Sequence, residues 1–115
     1  MSNSYQIYLI SDSTGETLDR IFLALKAQFK YFDYQTNHFS FTRTENQIKK
    51  ILEKTGKGKK VIILYTIVDD KLSHFLVNES KNQNIPCFGV LGDLIQSFSK
   101  ILNQDALHVP SRQHI

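Results

Sequence analysis

Hydroxyls, carboxylates and a glycine are packed into one short run, Ser11-Asp12-Ser13-Thr14-Gly15-Glu16-Thr17. It follows an apolar, strand-like stretch, Ile7-Tyr8-Leu9-Ile10, and precedes a segment whose apolar residues recur every three or four positions. A strand that turns into a helix through such residues leaves backbone N–H groups unpaired at the positive end of the helix dipole, where an anion can be held. Phosphate is the ligand this chemistry favours, with Ser11, Asp12, Ser13, Thr14, Gly15 and Thr17 as its candidate contacts. The competing reading is simple capping, with Ser13 or Thr14 as the cap and Asp12, Glu16 and Asp19 complementing the dipole. Acids so close to the turn oppose a bare anion unless a metal ion or a basic side chain joins the site.

Other candidates converge on the same end of the chain's first and third strand-like runs. Arg43 follows the second such run and can pair with phosphate through its planar fork, or stay a surface residue. Thr66 and Asp69 lie in the loop Thr66-Ile67-Val68-Asp69-Asp70. A carboxylate there can bind Mg²⁺ or orient a hydroxyl, although capping the next helix is the simpler role for Asp69. Gly56-Lys57-Gly58-Lys59-Lys60 has a superficial likeness to a nucleotide-phosphate loop. It lacks Ser or Thr after the lysine and precedes a strand, where a phosphate cradle must follow one. The histidines at 38, 74, 108 and 114 show no metal-ligand spacing, so no metal is expected. Cys87, the only cysteine, sits among Ile85, Pro86 and Phe88 and reads as a small core residue.

These residues need a frame. The chain has 115 residues, of which 41% are hydrophobic, enough for one core and one domain. No run of about 18 apolar residues and no signal-like N-terminus is present, so a soluble, cytoplasmic chain without membrane contact is expected. The net charge is +3, and Lys49, Lys50, Lys54, Lys57, Lys59 and Lys60 cluster in one segment. No aromatic residues interleave with them, so the cluster reads as a solvated face rather than a nucleic-acid surface.

Periodicity marks four strand-then-helix units. The first runs from Tyr5–Ile10 into a helix whose Leu18, Ile21, Phe22, Leu25 and Phe29 form one buried stripe. The second has an edge strand near Gln35–Phe41 and a helix opened by a Thr44/Gln47 capping box, with Ile48, Ile51 and Leu52 inward. The third has the continuous apolar run Val61–Val68 and a helix carrying Leu72, Phe75 and Leu76. The fourth is Cys87–Leu91, then a helix with Leu94, Ile95, Phe98, Ile101 and Leu102. The fold expected is α/β: a four-stranded parallel sheet of order 2-1-3-4 with helices on both faces, half of a flavodoxin-like architecture. Its ligand crevice belongs beyond the carboxyl ends of the first and third strands, where the winding reverses. The domain is expected over 1–105 and a tail over 106–115.

Taken together and in order, Ser11–Thr17, Phe41-Thr42-Arg43-Thr44-Glu45, Leu64-Tyr65-Thr66-Ile67-Val68-Asp69, Ile85-Pro86-Cys87, Leu91-Gly92-Asp93-Leu94 and Pro110-Ser111-Arg112-Gln113-His114 resemble the pyruvate, phosphate dikinase / phosphoenolpyruvate synthase regulatory protein family. The resemblance covers nearly the whole chain and departs at Ser111, where the family motif has glycine. It implies a bifunctional enzyme: an ADP-dependent serine/threonine kinase, and a phosphate-dependent phosphorylase that reverses the modification and forms pyrophosphate. The implied partner is pyruvate, phosphate dikinase or phosphoenolpyruvate synthase, with a homodimer left open. Arg112 and Gln113 become candidates for phosphate or target contact, and His114 for an acid or base. In family members the nucleotide-binding P-loop lies in a second, C-terminal domain. This chain is accordingly expected to be the N-terminal domain only, holding no cofactor itself and inactive alone, because ADP and phosphate belong to the full-length relative.

Two further readings stand beside this one. A Ser/Thr-x-Thr-Gly-x-Thr-like loop also suits a flavodoxin-like module that holds flavin mononucleotide, although Thr66–Asp70 and Gly89–Asp93 offer no aromatic wall. A target-binding or dimerisation module without chemistry is the third.

Overall fold

Strand and helix alternate along the chain: β1 (Tyr5–Ser11), α1 (Glu16–Lys26), β2 (Tyr34–Phe39), α2 (Glu45–Glu53), β3 (Val61–Thr66), α3 (Asp70–Asn82), β4 (Cys87–Gly89) and α4 (Gly92–Leu102). The computed structural model describes residues 4–56 and 59–109. All strand pairs are parallel, in the order β2-β1-β3-β4 expected from the sequence. Ile7 faces Thr36 on one side and Ile62 on the other, which places β1 at the centre beside β3.

Alternation along each strand divides the core in two. Tyr8, Ile10, Val61 and Ile63 point to one face, where Ile48, Ile51 and Leu52 of α2 and Leu72 and Leu76 of α3 cover them. Ile7, Leu9 and Leu64 point to the other, against Leu18 and Phe22 of α1. The α2 start carries the expected capping box, in which the Thr44 hydroxyl accepts from the Gln47 N–H at 3.1 Å and the Gln47 side chain accepts from the Thr44 N–H at 3.0 Å. Asp69 caps α3, its carboxylate accepting from the Leu72 N–H at 2.9 Å. Gly89 has no side chain because the Tyr65 ring occupies that space: a Cβ would meet its Oη at 2.7 Å.

Two expectations need correction. The stripe on α1 is not buried along its length. The helix ends at Lys26, and Leu25 and Phe29 are 42% and 58% exposed, because among the described residues no element covers the sheet beside them. The strands are also shorter than the apolar runs. β3 stops at Thr66, and β4 ends at Gly89, since the chain must turn to bring Ile67 inward and start α4. In α4 the apolar residues have the expected spacing, but among the described residues the helix buries none of its own, and Leu94, Phe98, Ile101 and Leu102 are exposed.

Cys87 faces the α3 side of the sheet. Burial pushes its thiol up to about 11, with the neighbouring Ser80 hydroxyl pulling weakly the other way, so the thiolate is scarce at neutral pH.

Candidate functional site

β1 delivers Ser11 and Asp12 to the carboxyl edge of the sheet as buried residues, and the chain then turns through Ser13 and Thr14 into α1. The neighbouring strands hold this turn. The Asp12 N–H donates to the Thr66 carbonyl at 3.1 Å, continuing the sheet past β1. After β2 the chain runs alongside, where the Phe41 N–H donates to the Ser13 carbonyl and the Thr42 N–H to the Ser11 carbonyl, each at 2.9 Å. The Ser40 hydroxyl adds a bond to the Thr14 carbonyl at 2.8 Å.

The helix begins without a side-chain cap. Gly15 takes the N-cap position at φ 91°, ψ 3°, and no side chain bonds the first turn as Thr44 and Asp69 do for α2 and α3. Thr14 Oγ1 reaches only the Glu16 N–H, at 3.4 Å. The capping by Ser13 or Thr14 that the sequence allows is therefore not what the loop does. Its hydroxyls are engaged elsewhere: Ser11 Oγ accepts from the Ser13 N–H at 3.0 Å and from the Thr66 hydroxyl at 3.2 Å.

Around this start lies a concavity of about 250 Å³ lined by Ser11, Ser13, Thr14, Gly15, Thr17 and Thr66, together with Glu16, Leu18 and Arg20. It has room for a phosphate group with water, since one water occupies about 30 Å³. Arg20 is a lining residue that the sequence does not single out. Its spacing from Glu16, one helical turn, is the available signal, because residues four apart share a face.

The acids near the turn do not all face the concavity. Asp12 turns towards β3, its Oδ2 accepting from the Val68 N–H at 2.8 Å. Asp19 meets His38, Oδ1 to Nε2 at 2.7 Å. Only Glu16 of the three is among the lining residues, together with the guanidinium-bearing Arg20. Arg43 reaches the loop from behind: its Nε donates to the Asp12 carbonyl at 2.9 Å, and its guanidinium lies 5.5 Å from the Phe41 ring centroid. Thus the first loop, Thr66 and Arg43 meet at one edge, while Asp69 is occupied as a helix cap. The remaining candidates, Arg112, Gln113 and His114, lie outside the described residues.

Burial pushes the Asp12 carboxyl above its ordinary value of 3.8, against the opposing pull of the Val68 N–H and the Arg43 charge. An acid raised in this way costs the fold free energy once ionised, so its contribution improves as pH falls from the raised value towards 3.8. Asp12→Asn should flatten that part of the stability curve. Urea midpoints of both proteins between about pH 7 and pH 4 would test this, and parallel curves would refute it.

A hollow of about 1070 Å³ lies at the opposite end, around Tyr5, Lys60, Val61 and Pro86. It opens at the amino ends of the strands, away from the edge where parallel sheets bind ligands. The lysines near it cover apolar rings: Lys49 over Phe75, Lys54 over Phe39 and Lys60 over Tyr5, each within 5.3 to 5.8 Å of a centroid. Those rings come from other segments, which is why no interleaving is visible in the sequence.

A family model described as Kinase/pyrophosphorylase matches residues 7–115. A protein of Pelagibacter ubique (strain HTCC1062), named as a pyruvate, phosphate dikinase regulatory protein, is 63% identical over 114 residues, 99% of this chain and 42% of that protein. Proteins of the same name from Alkaliphilus oremlandii and Brucella anthropi are 36% and 33% identical over 90% and 96% of the chain, which covers 37% and 40% of their lengths. The chain spans about two-fifths of the curated relatives it matches. It belongs to the kinase/pyrophosphorylase family.

Proposed function

We propose that this chain is the N-terminal α/β part of a regulator acting on pyruvate, phosphate dikinase or phosphoenolpyruvate synthase, and that the concavity at the start of α1 holds a phosphate-type anion. In the forward direction such a regulator moves the β-phosphoryl group of ADP to a threonine hydroxyl, breaking the bond to the α-phosphate and releasing AMP and the hydroxyl proton. In reverse, inorganic phosphate attacks the phosphothreonine phosphorus, forming pyrophosphate and returning the hydroxyl. Both directions depend on positioning and on neutralising charge. A first turn without a capping side chain, the Ser13, Thr14 and Thr17 residues and Arg20, all lining the concavity, suit that chemistry.

One observation carries the local assignment. Of the four helix starts that follow the strands, those of α2 and α3 are closed by side-chain caps and those of α1 and α4 are not, and the uncapped start of α1 borders a concavity rich in hydroxyls. The flavin reading draws less support, since no aromatic residue lines that concavity.

Amide NMR of the 115-residue chain titrated with inorganic phosphate is expected to move the signals of residues 13–18 selectively, and Arg20→Ala to reduce that response. Uniform or absent shifts would remove the anion site. With labelled ADP and the dikinase the same chain is expected to give no turnover, while a pull-down retains the dikinase. Turnover at the rate of a full-length relative would refute the division of labour.

A further inference from the structure

An all-parallel sheet is normally covered on both faces, because βαβ crossovers place helices there and its strands are apolar on both sides. Here one face is covered fully and the other only by half. α2 and α3 seal the first, whereas α1 packs on the second through Leu18 and Phe22 against Ile7, Leu9 and Leu64 and leaves Phe88 of β4 exposed. Beside α1 an apolar groove of about 460 Å³ runs over β1, β3 and β4, walled by Phe22, Leu25 and Phe29 and floored by Ile7, Ile62, Leu64 and Phe88. Phe29 and Phe88 are 58% and 56% exposed, too much contiguous large apolar surface to be left to water without consequence. The next helix, α4, leaves the β4 edge with its own apolar residues unburied.

We propose that this groove is the seat of an amphipathic helix contributed by the part of the family-length polypeptide that this chain does not span. Two observations choose that occupant. A parallel sheet of the βα type completes its faces with helices, and a groove flanked by α1 has the apolar lining that a second helix on this face requires. The 63% identical relative extends to more than twice the matched length, so the family supplies a polypeptide large enough to provide that helix. The assignment rests on the fold and on family membership, and stands whether or not the α1 concavity binds phosphate.

The test joins this chain to the unmatched remainder of the Pelagibacter relative and compares the fusion with the 115-residue chain. Phe29→Cys places a thiol on the groove wall, and Cys87, whose thiolate is scarce at neutral pH, gives a slow background measured separately. The new thiol is expected to react with a maleimide at least tenfold more slowly in the fusion, and Phe88→Asp is expected to restore most of the rate. A second reading uses the two pieces unfused: sedimentation should find a one-to-one complex, weakened at least tenfold by Phe88→Asp. Equal labelling rates in chain and fusion would overturn the proposal, as would failure of the unfused pieces to associate if the fusion does not fold. A homodimer of the 115-residue chain that Phe88→Asp dissociates would also overturn it, by giving the face to a second copy.

Discussion

Ile63→Ala is expected to remove about 2–5 kcal/mol of unfolding free energy. Ile63 is fully buried on β3, in register with Tyr8 of β1 and Cys87 of β4, and packs in the cluster that α2 and α3 close. Hydrogen-bonded strands on both sides and two helices above hold its surroundings, so the void left by the lost methyl and methylene groups cannot collapse freely. Domains of this kind have only about 5–15 kcal/mol of total stability. The loss would therefore lower the urea midpoint sharply with little change of slope. Ile62→Ala supplies the contrast: that residue lies on the opposite face beside the open groove and is only half-buried, so its loss should be much smaller. Equal losses at the two positions would contradict the two-faced core.

Gly15→Val ranks second, and its effect is local. The backbone at Gly15 has φ 91°, a region that a β-branched residue enters only with strain of about 1–3 kcal/mol. Space is not the obstacle, because a Cβ would stand 3.5 Å from Ser40 Oγ, an ordinary contact. If the loop yields instead of the fold, the Ser40 bond to the Thr14 carbonyl and the orientation of the first α1 amides go with it. Either stability falls by that amount in urea denaturation, or the phosphate-induced amide shifts at 13–18 disappear. A variant with unchanged stability and an unchanged phosphate response would show that the turn's unusual geometry serves neither.

Much of this frame is legible in the chain because local and global signals agree. Val61–Thr66 is apolar on both faces and is a central strand; Tyr34–Phe39 is partly polar and is an edge. Thr44 with Gln47, and Asp69 before Leu72, announce helix starts through side chains that bond their own backbone, and both do so. The meeting of Ser11, Asp12, Thr66 and Arg43 follows from topology alone, since strand order brings those loops together.

What escapes the sequence is tertiary. Periodicity reports that Leu25, Phe29, Leu94 and Phe98 share helical faces, but it cannot report whether anything lies opposite. The same holds for Asp12. Beside a candidate anion site it reads as a repulsive charge, and only the fold turns its carboxylate away to Val68. Arg20 is hidden for the reverse reason: as a helical residue it looks like ordinary solvent-facing charge until the concavity is in view.

The bond from the Val68 N–H to the Asp12 carboxylate, with the Thr66 hydroxyl resting on Ser11, fastens the crest of β1 to the crest of β3. The entries to α1 and α3 therefore share one anchorage, held by side-chain bonds in addition to the strand ladder.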